Sequence, residues 1–250
     1  KNLTVIGSGL TGPLLSQILS SKHGCDIDMY ERSVDSRKYK NFSGRSINLA
    51  LSKRGIQSLE YAGIFNDGFK SLLIPMYGRT IHSIDGNLSF QAYGNKKEHY
   101  INSVSRQSIN NILIDNAERT GKVGIHFNME CLKLDLINNK LYFDGHSTDI
   151  TTPIIGADGY RSVVSKHVAA LNRSELDYVN IEHSYKELTI KSKNNEFQME
   201  PNSLHIWPRR DMMMIALPNL DRSFTCTLFM KQNGDDSFDS IKTKEELYVF

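Results

Sequence analysis

The stretch that most constrains the fold is Asn2 to Glu31. A short apolar run, Leu3 to Ile6, is long enough for a buried strand. It turns through Gly7-Ser8-Gly9-Leu10-Thr11-Gly12 into a helical pattern with Leu14, Leu15, Ile18 and Leu19 on one face. A second run, Asp26 to Tyr30, alternates polar and apolar residues and ends on Glu31. Strand, GxGxxG turn, helix, strand and acid together make the unit that binds the ADP half of a dinucleotide. In that unit the first glycine permits a tight turn, the second lets backbone approach a pyrophosphate, and the third allows close helix-to-strand packing. The helix adds unpaired N–H groups and the positive end of its dipole. This motif alone leaves NAD and FAD equally open.

At 250 residues the chain accommodates one large domain or two modest ones. A net charge of +2 advertises no nucleic-acid partner. No window approaches the roughly 18 uninterrupted apolar residues that suggest a membrane span, and no signal peptide is read ahead of the first strand. Cys25, Cys131 and Cys226 are scattered without metal-ligand spacing, which fits reduced core residues in a cytosolic setting and no metal site. The chain begins almost against its first strand and stops within an apparent helix, so it is expected to be part of a longer protein.

After a basic loop from Arg32 to Asn41, residues 47, 49 and 51 alternate as a short strand would, and a helix follows to Leu59. Pro75 to Ile84 reads as a strand carrying Arg79, returned through Leu88, Phe90 and Ala92 as a hairpin, with Tyr93 after it. Ser103 to Arg106 precede a helix with Ile109, Ile112, Leu113 and Ala117 on one face. Leu132 to Leu136 and Lys140 to Phe143 form a second hairpin pattern. Pro153 to Gly159 repeats the opening theme of a buried strand ending in a glycine turn. From Tyr178 the texture changes to four strand-like runs, ending at Ile190, Trp207, Leu217 and Met230. These read as an antiparallel sheet. Met213, Ile215 and Leu217 share one face. If Leu204 and Phe229 join them, the sheet offers a wall for a flat aromatic ligand. His82, His99, His126 and His205 lack ligand spacing and read as structural or exposed.

GSGLTGPL, the YE strand end, GRSINLALSKRG (44–55), SVSR (103–106) and IIGADGYRS (154–162) together resemble the flavin-dependent aromatic hydroxylases. IPMYGRTIH, YKELTI, MEPNSLHIWPR, MMIALPN and SFTCTLF narrow the resemblance to the branch that hydroxylates L-kynurenine at carbon 3, and it covers essentially the whole chain. The implied fold is α/β. A Rossmann-like FAD-binding domain (1–70 and 101–175) is interleaved with an antiparallel-sheet substrate domain (71–100 and 176–250). The implied activity uses FAD, NADPH and O2 within tryptophan catabolism. The reduced flavin carries the chemistry, so no catalytic side chain is expected. Location would be cytoplasmic in a bacterium and the mitochondrial outer membrane in a eukaryote, with homodimer formation left open.

Residue by residue, the resemblance implies that Gly7, Gly9, Leu10, Thr11 and Gly12 hold the pyrophosphate region and Glu31 the adenosine ribose. Arg32, Arg37, Ala50, Arg106, Cys131 (through its backbone) and Asp158 match further cofactor-side positions. The family's acid–any–arginine pattern is broken here, because Arg32 directly follows Glu31 and Ser33 takes the arginine position. Arg79 and Tyr93 match the pair that holds the amino-acid carboxylate, an apt use of a guanidinium fork and a phenol. Leu204, Met213, Ile215, Leu217 and Phe229 match the wall against the ring. The family's second flavin motif, glycine-aspartate-alanine-alanine-histidine, is not found. That absence keeps a flavin-binding fragment without turnover as one alternative, and a hydroxylase of another aromatic acid, which Arg79 and Tyr93 do not exclude, stands as another.

Overall fold

The computed structural model describes residues 1–38 and 47–249. The Gly44-Arg45-Ser46 start of one motif and the end of the basic loop lie outside the described residues. In chain order come β1 (Asn2–Ile6), α1 (Thr11–His23), β2 (Asp26–Tyr30), a 3-10 turn at Ser36–Lys38, β3 (Asn48–Leu51), α2 (Lys53–Tyr61) and α3 (Asp67–Lys70). Then β4 (Ile74–Met76), β5 (Gly78–His82), β6 (Leu88–Ala92) and β7 (Ile101–Ser105) lead to α4 (Arg106–Arg119). Next are β8 (Val123–His126), β9 (Lys133–Asp135), β10 (Lys140–Phe143), β11 (His146–Asp149), β12 (Ile154–Gly156) and α5 (Val163–Leu171). The chain continues through β13 (His183–Ile190), β14 (Ser203–Arg209), β15 (Met212–Pro218), β16 (Phe224–Lys231) and α6 (Lys244–Val249).

The chain divides into two compact units. The first comprises Lys1–Gly44, Gln57–Phe69 and Gln107–Asp177, and the second Arg45–Ile56, Lys70–Arg106 and Tyr178–Phe250. The sequence boundaries put residues 45–56 and 101–106 with the first unit. They fall in the second because β7 pairs antiparallel with both β3 and β4.

The first unit is built on a parallel sheet in the order β12-β1-β2-β8. Val5, Ile27, Met29, Ala117 and Val123 form its core. Helix α1 does not bury the leucine face expected of it. Its buried residues are Gly12, Pro13, Ser16 and Ser20, while Leu14, Leu15, Ile18 and Leu19 are half-buried. Small side chains let the helix axis come close to the sheet, so the leucines splay to its flanks. In α4, Ile114 is buried and Ile112 is only half-buried. A three-stranded sheet, β11-β10-β9, packs Leu134, Leu141 and Phe143 with Ile6, Cys131 and Val164 in a second core. Strand β11 was not foreseen, because its residues are polar and largely exposed.

The second unit carries a six-stranded sheet in the order β13-β16-β15-β14-β5-β6. Neighbours are antiparallel except β14 and β5, which run parallel. The parallel pair arises because the β5–β6 hairpin comes from a distant part of the chain and adds to the free edge of β14. On one face Ala216, Phe224 and Cys226 are buried beneath Phe197, Met199, Trp207 and Met214. His82 and His205 also take that side: their rings hydrogen-bond at 2.8 Å, and His82 stacks on Trp207.

Candidate functional site

In the first unit the glycine turn is held almost wholly by backbone. The Gly7 amide donates to Tyr30 O at 2.8 Å. Gly7 has φ +101°, and a Cβ there would lie 2.5 Å from the carbonyl oxygen of Ala157. A Cβ on Gly12 would lie 2.0 Å from the carbonyl oxygen of Gly7. At Gly9 the same construction meets nothing within 4 Å, so the open space of the turn is at its second glycine. Helix α1 starts with no side-chain cap and no acidic residue in its first turn. Its leading N–H groups and dipole are thus left to an external anion.

Two side chains brace this turn. The Glu31 carboxylate accepts the Ser8 amide at 2.7 Å and the Ser33 amide at 2.8 Å, so Ser33 contributes its backbone here. Each carboxylate oxygen keeps lone-pair capacity for a ribose hydroxyl. From α4, Asn110 Nδ2 donates to Ser8 O at 2.8 Å and Gly9 O at 2.9 Å. Sequence reasoning passed over Asn110, since one polar residue in a helix carries no spacing signal.

The remaining cofactor-side candidates of this unit are placed differently from one another. Arg32 is exposed, with no side-chain partner among the described residues. The Arg37 guanidinium is occupied by Asp35, Asp115 and Glu118, clasping the loop after β2 to α4. All five of its N–H donors bond within the protein in this structure. Those carboxylates raise the Arg37 pKa, and Arg37 in turn lowers that of Asp35, which is 5% exposed. Cys131 is buried in the second core, and burial with nearby Asp158 pushes its thiol up to about 11. Asp158 caps α5, accepting the amides of Val163 (2.7 Å) and Val164 (3.3 Å) and the hydroxyl of Ser162 (2.5 Å).

In the second unit the strand register decides which side chains share a surface. Met213 lies opposite Phe229, Ile215 opposite Thr227, and Leu217 opposite Thr225. Ile215 also lies opposite Ile206, which alternation puts beside Leu204, and Leu204 is paired with Arg79. All five expected wall residues and Arg79 therefore lie on one face, opposite the one covered by Phe197 and Met199. Ile206 and Glu187 join that face unforeseen, although period-2 alternation from Leu204 and Tyr185 carried the signal. The Arg79 guanidinium sits 5.3 Å from the Tyr93 ring centroid. The Tyr93 hydroxyl is buried and has no hydrogen-bond partner among the described residues. Burial pushes that phenol up, and the Arg79 charge offsets part of the shift. Ala50 on β3 and Arg106 at the start of α4 are exposed, and Arg106 has no side-chain partner among the described residues.

A family model described as FAD binding domain matches residues 2–245. The chain belongs to the FAD-binding domain family. It is 41% identical over 252 residues to a kynurenine 3-monooxygenase of Dictyostelium discoideum, covering 100% of this chain and 54% of that protein. It is 40% identical over 253 residues to one of Sus scrofa, covering 100% of this chain and 52% of that protein. The chain thus spans about half the length of the curated relatives it matches. Its fold resembles that of the tetrameric form of 2-methyl-3-hydroxypyridine-5-carboxylic acid oxygenase, with a TM-score of 0.74, 18% identity, and coverage of 100% of this chain and 63% of that one.

The donor set suits an FAD-binding family member. The open space at Gly9, the uncapped α1 and the doubly held Glu31 are what a pyrophosphate and its ribose require. Among the described residues no helix is long and apolar enough to cross a membrane.

Proposed function

We propose that this chain supplies cofactor- and substrate-binding parts of an FAD- and NADPH-dependent monooxygenase that converts L-kynurenine to 3-hydroxykynurenine with O2. The single observation that carries this reading is the register placing Arg79 on the same sheet face as Leu204, Met213, Ile215, Leu217 and Phe229, with Tyr93 beside the guanidinium. A carboxylate grip next to an apolar wall suits an aromatic amino acid, and the kynurenine 3-monooxygenase relatives name one.

In this reading the amides of Gly9 to Gly12 hold the FAD pyrophosphate and Glu31 the adenosine ribose. Ala50 and Arg106 take cofactor contacts, and Cys131 contributes backbone toward the adenine. Once reduced by NADPH, bound FAD supplies the reactivity with O2 that hydroxylates the ring. The chain's own side chains bind and orient. Arg79 donates charge-assisted bonds to the substrate carboxylate, Tyr93 adds its hydroxyl, and the wall presents the ring while excluding water. No side chain needs to act as a nucleophile.

The test is NADPH consumption by the full-length protein with L-kynurenine against other aromatic acids, with the product identified. Turnover on a different ring alone would mark it as a hydroxylase of that ring. Arg79→Ala should raise the KM for L-kynurenine roughly 10- to 100-fold with flavin content unchanged. Loss of FAD with KM preserved would invert the division of roles. The 250-residue segment by itself is expected to bind FAD poorly and hydroxylate nothing.

A further inference from the structure

Glu187 lies on β13 opposite Thr227 of β16, which in turn lies opposite Ile215 of β15. It therefore stands on the sheet face that carries Arg79 and the apolar wall, at the opposite side of the sheet from Arg79. Its Oε1 is buried and has no hydrogen-bond partner among the described residues. The flanking positions on that face, Tyr185, Thr189, Thr225, Thr227 and Phe229, bring no positive charge. A carboxylate oxygen so placed has lost water and gained no donor, a state native proteins seldom keep without a use. Four strand spacings across the sheet and two residues along β5 separate Glu187 from Arg79, about 20 Å between backbones. Less the reach of both side chains, that gap suits one aromatic ring with a short amino-acid arm.

We propose that Glu187 determines specificity by accepting a hydrogen bond from the ring N–H of an aromatic amine whose amino-acid carboxylate is held by Arg79. The inference rests on the function proposed above and deepens it. In L-kynurenine the ring amine adjoins the carbon to be hydroxylated. A carboxylate accepting from that amine pushes electron density into the ring and makes the neighbouring carbon a better nucleophile. Glu187 thus both selects an amine-bearing ring and orients it.

The experiment compares L-kynurenine with its analogue lacking the ring amine, in full-length FAD-loaded protein, wild type and Glu187→Gln. Dissociation constants, KM and kcat, FAD content and ligand-free Tm are measured. Glu187→Gln should weaken L-kynurenine binding roughly 10- to 100-fold and leave analogue binding nearly unchanged. Ligand-free Tm should hold or rise, because among the described residues the buried Glu187 oxygen has no partner to lose. Equal weakening for both ligands, or a fall in ligand-free Tm, would make Glu187 structural and overturn the inference alone. Wild-type protein that binds neither ligand would overturn the proposed function and this inference with it. If Glu187→Gln does not fold, Glu187→Asp, which retracts the carboxylate by one methylene, must show the same discrimination between ligands.

Discussion

The glycine turn of the first unit and the Arg79 face of the second are built on opposite plans. The turn is made of backbone, and its Ser8 and Gly9 groups are already paired within the protein, Ser8 N with Glu31 and Ser8 O and Gly9 O with Asn110, while the leading N–H groups of α1 stay open. The sheet face is made of side chains from five strands, and it carries two buried oxygens, on Tyr93 and Glu187, without partners among the described residues. A site whose internal bonds are satisfied is rigid and tolerates little substitution. One with orphaned oxygens holds its polar groups for something else, and substitution there should register only when a ligand is present.

The sharpest break of that contrast lies within the turn itself. Gly12→Ala puts a Cβ 2.0 Å from the Gly7 carbonyl, a backbone atom that cannot swing aside. It should cost at least about 3 kcal/mol, beyond the usual overpacking range, and abolish FAD binding with the fold. Gly9→Ala meets nothing within 4 Å and should leave Tm nearly unchanged while FAD affinity falls. Equal losses of Tm in the two variants would show that Gly9 is structural and that the cradle lies elsewhere.

Next comes the clasp after β2. Arg37→Met leaves Asp35 buried without its cation and should cost on the order of 3 kcal/mol at neutral pH. Folding lowers the Asp35 carboxyl below its ordinary 3.8, so its contribution is full above that value and is lost as pH falls through the lowered one. The gap in denaturant stability between wild type and variant should therefore be wide at pH 7 and shrink progressively as pH falls below 3.8. A constant gap across that range would remove the ion pair as its cause.

These differences explain what was legible beforehand. The turn announced itself because its three glycines fall within six residues and each answers one backbone demand. The wall was half-visible, since alternation placed Met213, Ile215 and Leu217 together, but joining them to Arg79 needed the parallel pairing of β14 with β5, which no local pattern encodes. Helix α1 misled because leucine spacing ordinarily marks the buried side, whereas close packing selected Gly12, Ser16 and Ser20. The pairing of Arg37 with Asp115 and Glu118, far along the chain, likewise left no local signal.

Asn110→Ala separates the two plans at a single side chain in the turn. It leaves the carbonyls of Ser8 and Gly9 without their donor and should cost about 1–2 kcal/mol of stability with no ligand present. FAD should partly restore the lost Tm, since a bound cofactor stabilises the folded form by mass action. A variant as stable as wild type would show that the turn is held by its glycines alone.

The smallest effect belongs to Tyr93→Phe, which removes a hydroxyl that is buried and has no hydrogen-bond partner among the described residues. Because that oxygen has no hydrogen-bond partner among the described residues, ligand-free stability should change by no more than about 0.5 kcal/mol, and in the favourable direction if at all. Its effect should emerge only with a carboxylate ligand, as a roughly 3- to 10-fold weaker affinity for L-kynurenine, the worth of one neutral hydrogen bond. Asn110→Ala is read by calorimetry without ligand and Tyr93→Phe by titration with it. If Tyr93→Phe instead lowers the ligand-free Tm as Asn110→Ala does, the hydroxyl belongs to the fold. The Arg79 face would then be braced in the same way as the turn, and its orphaned oxygens would no longer mark where substrate binds.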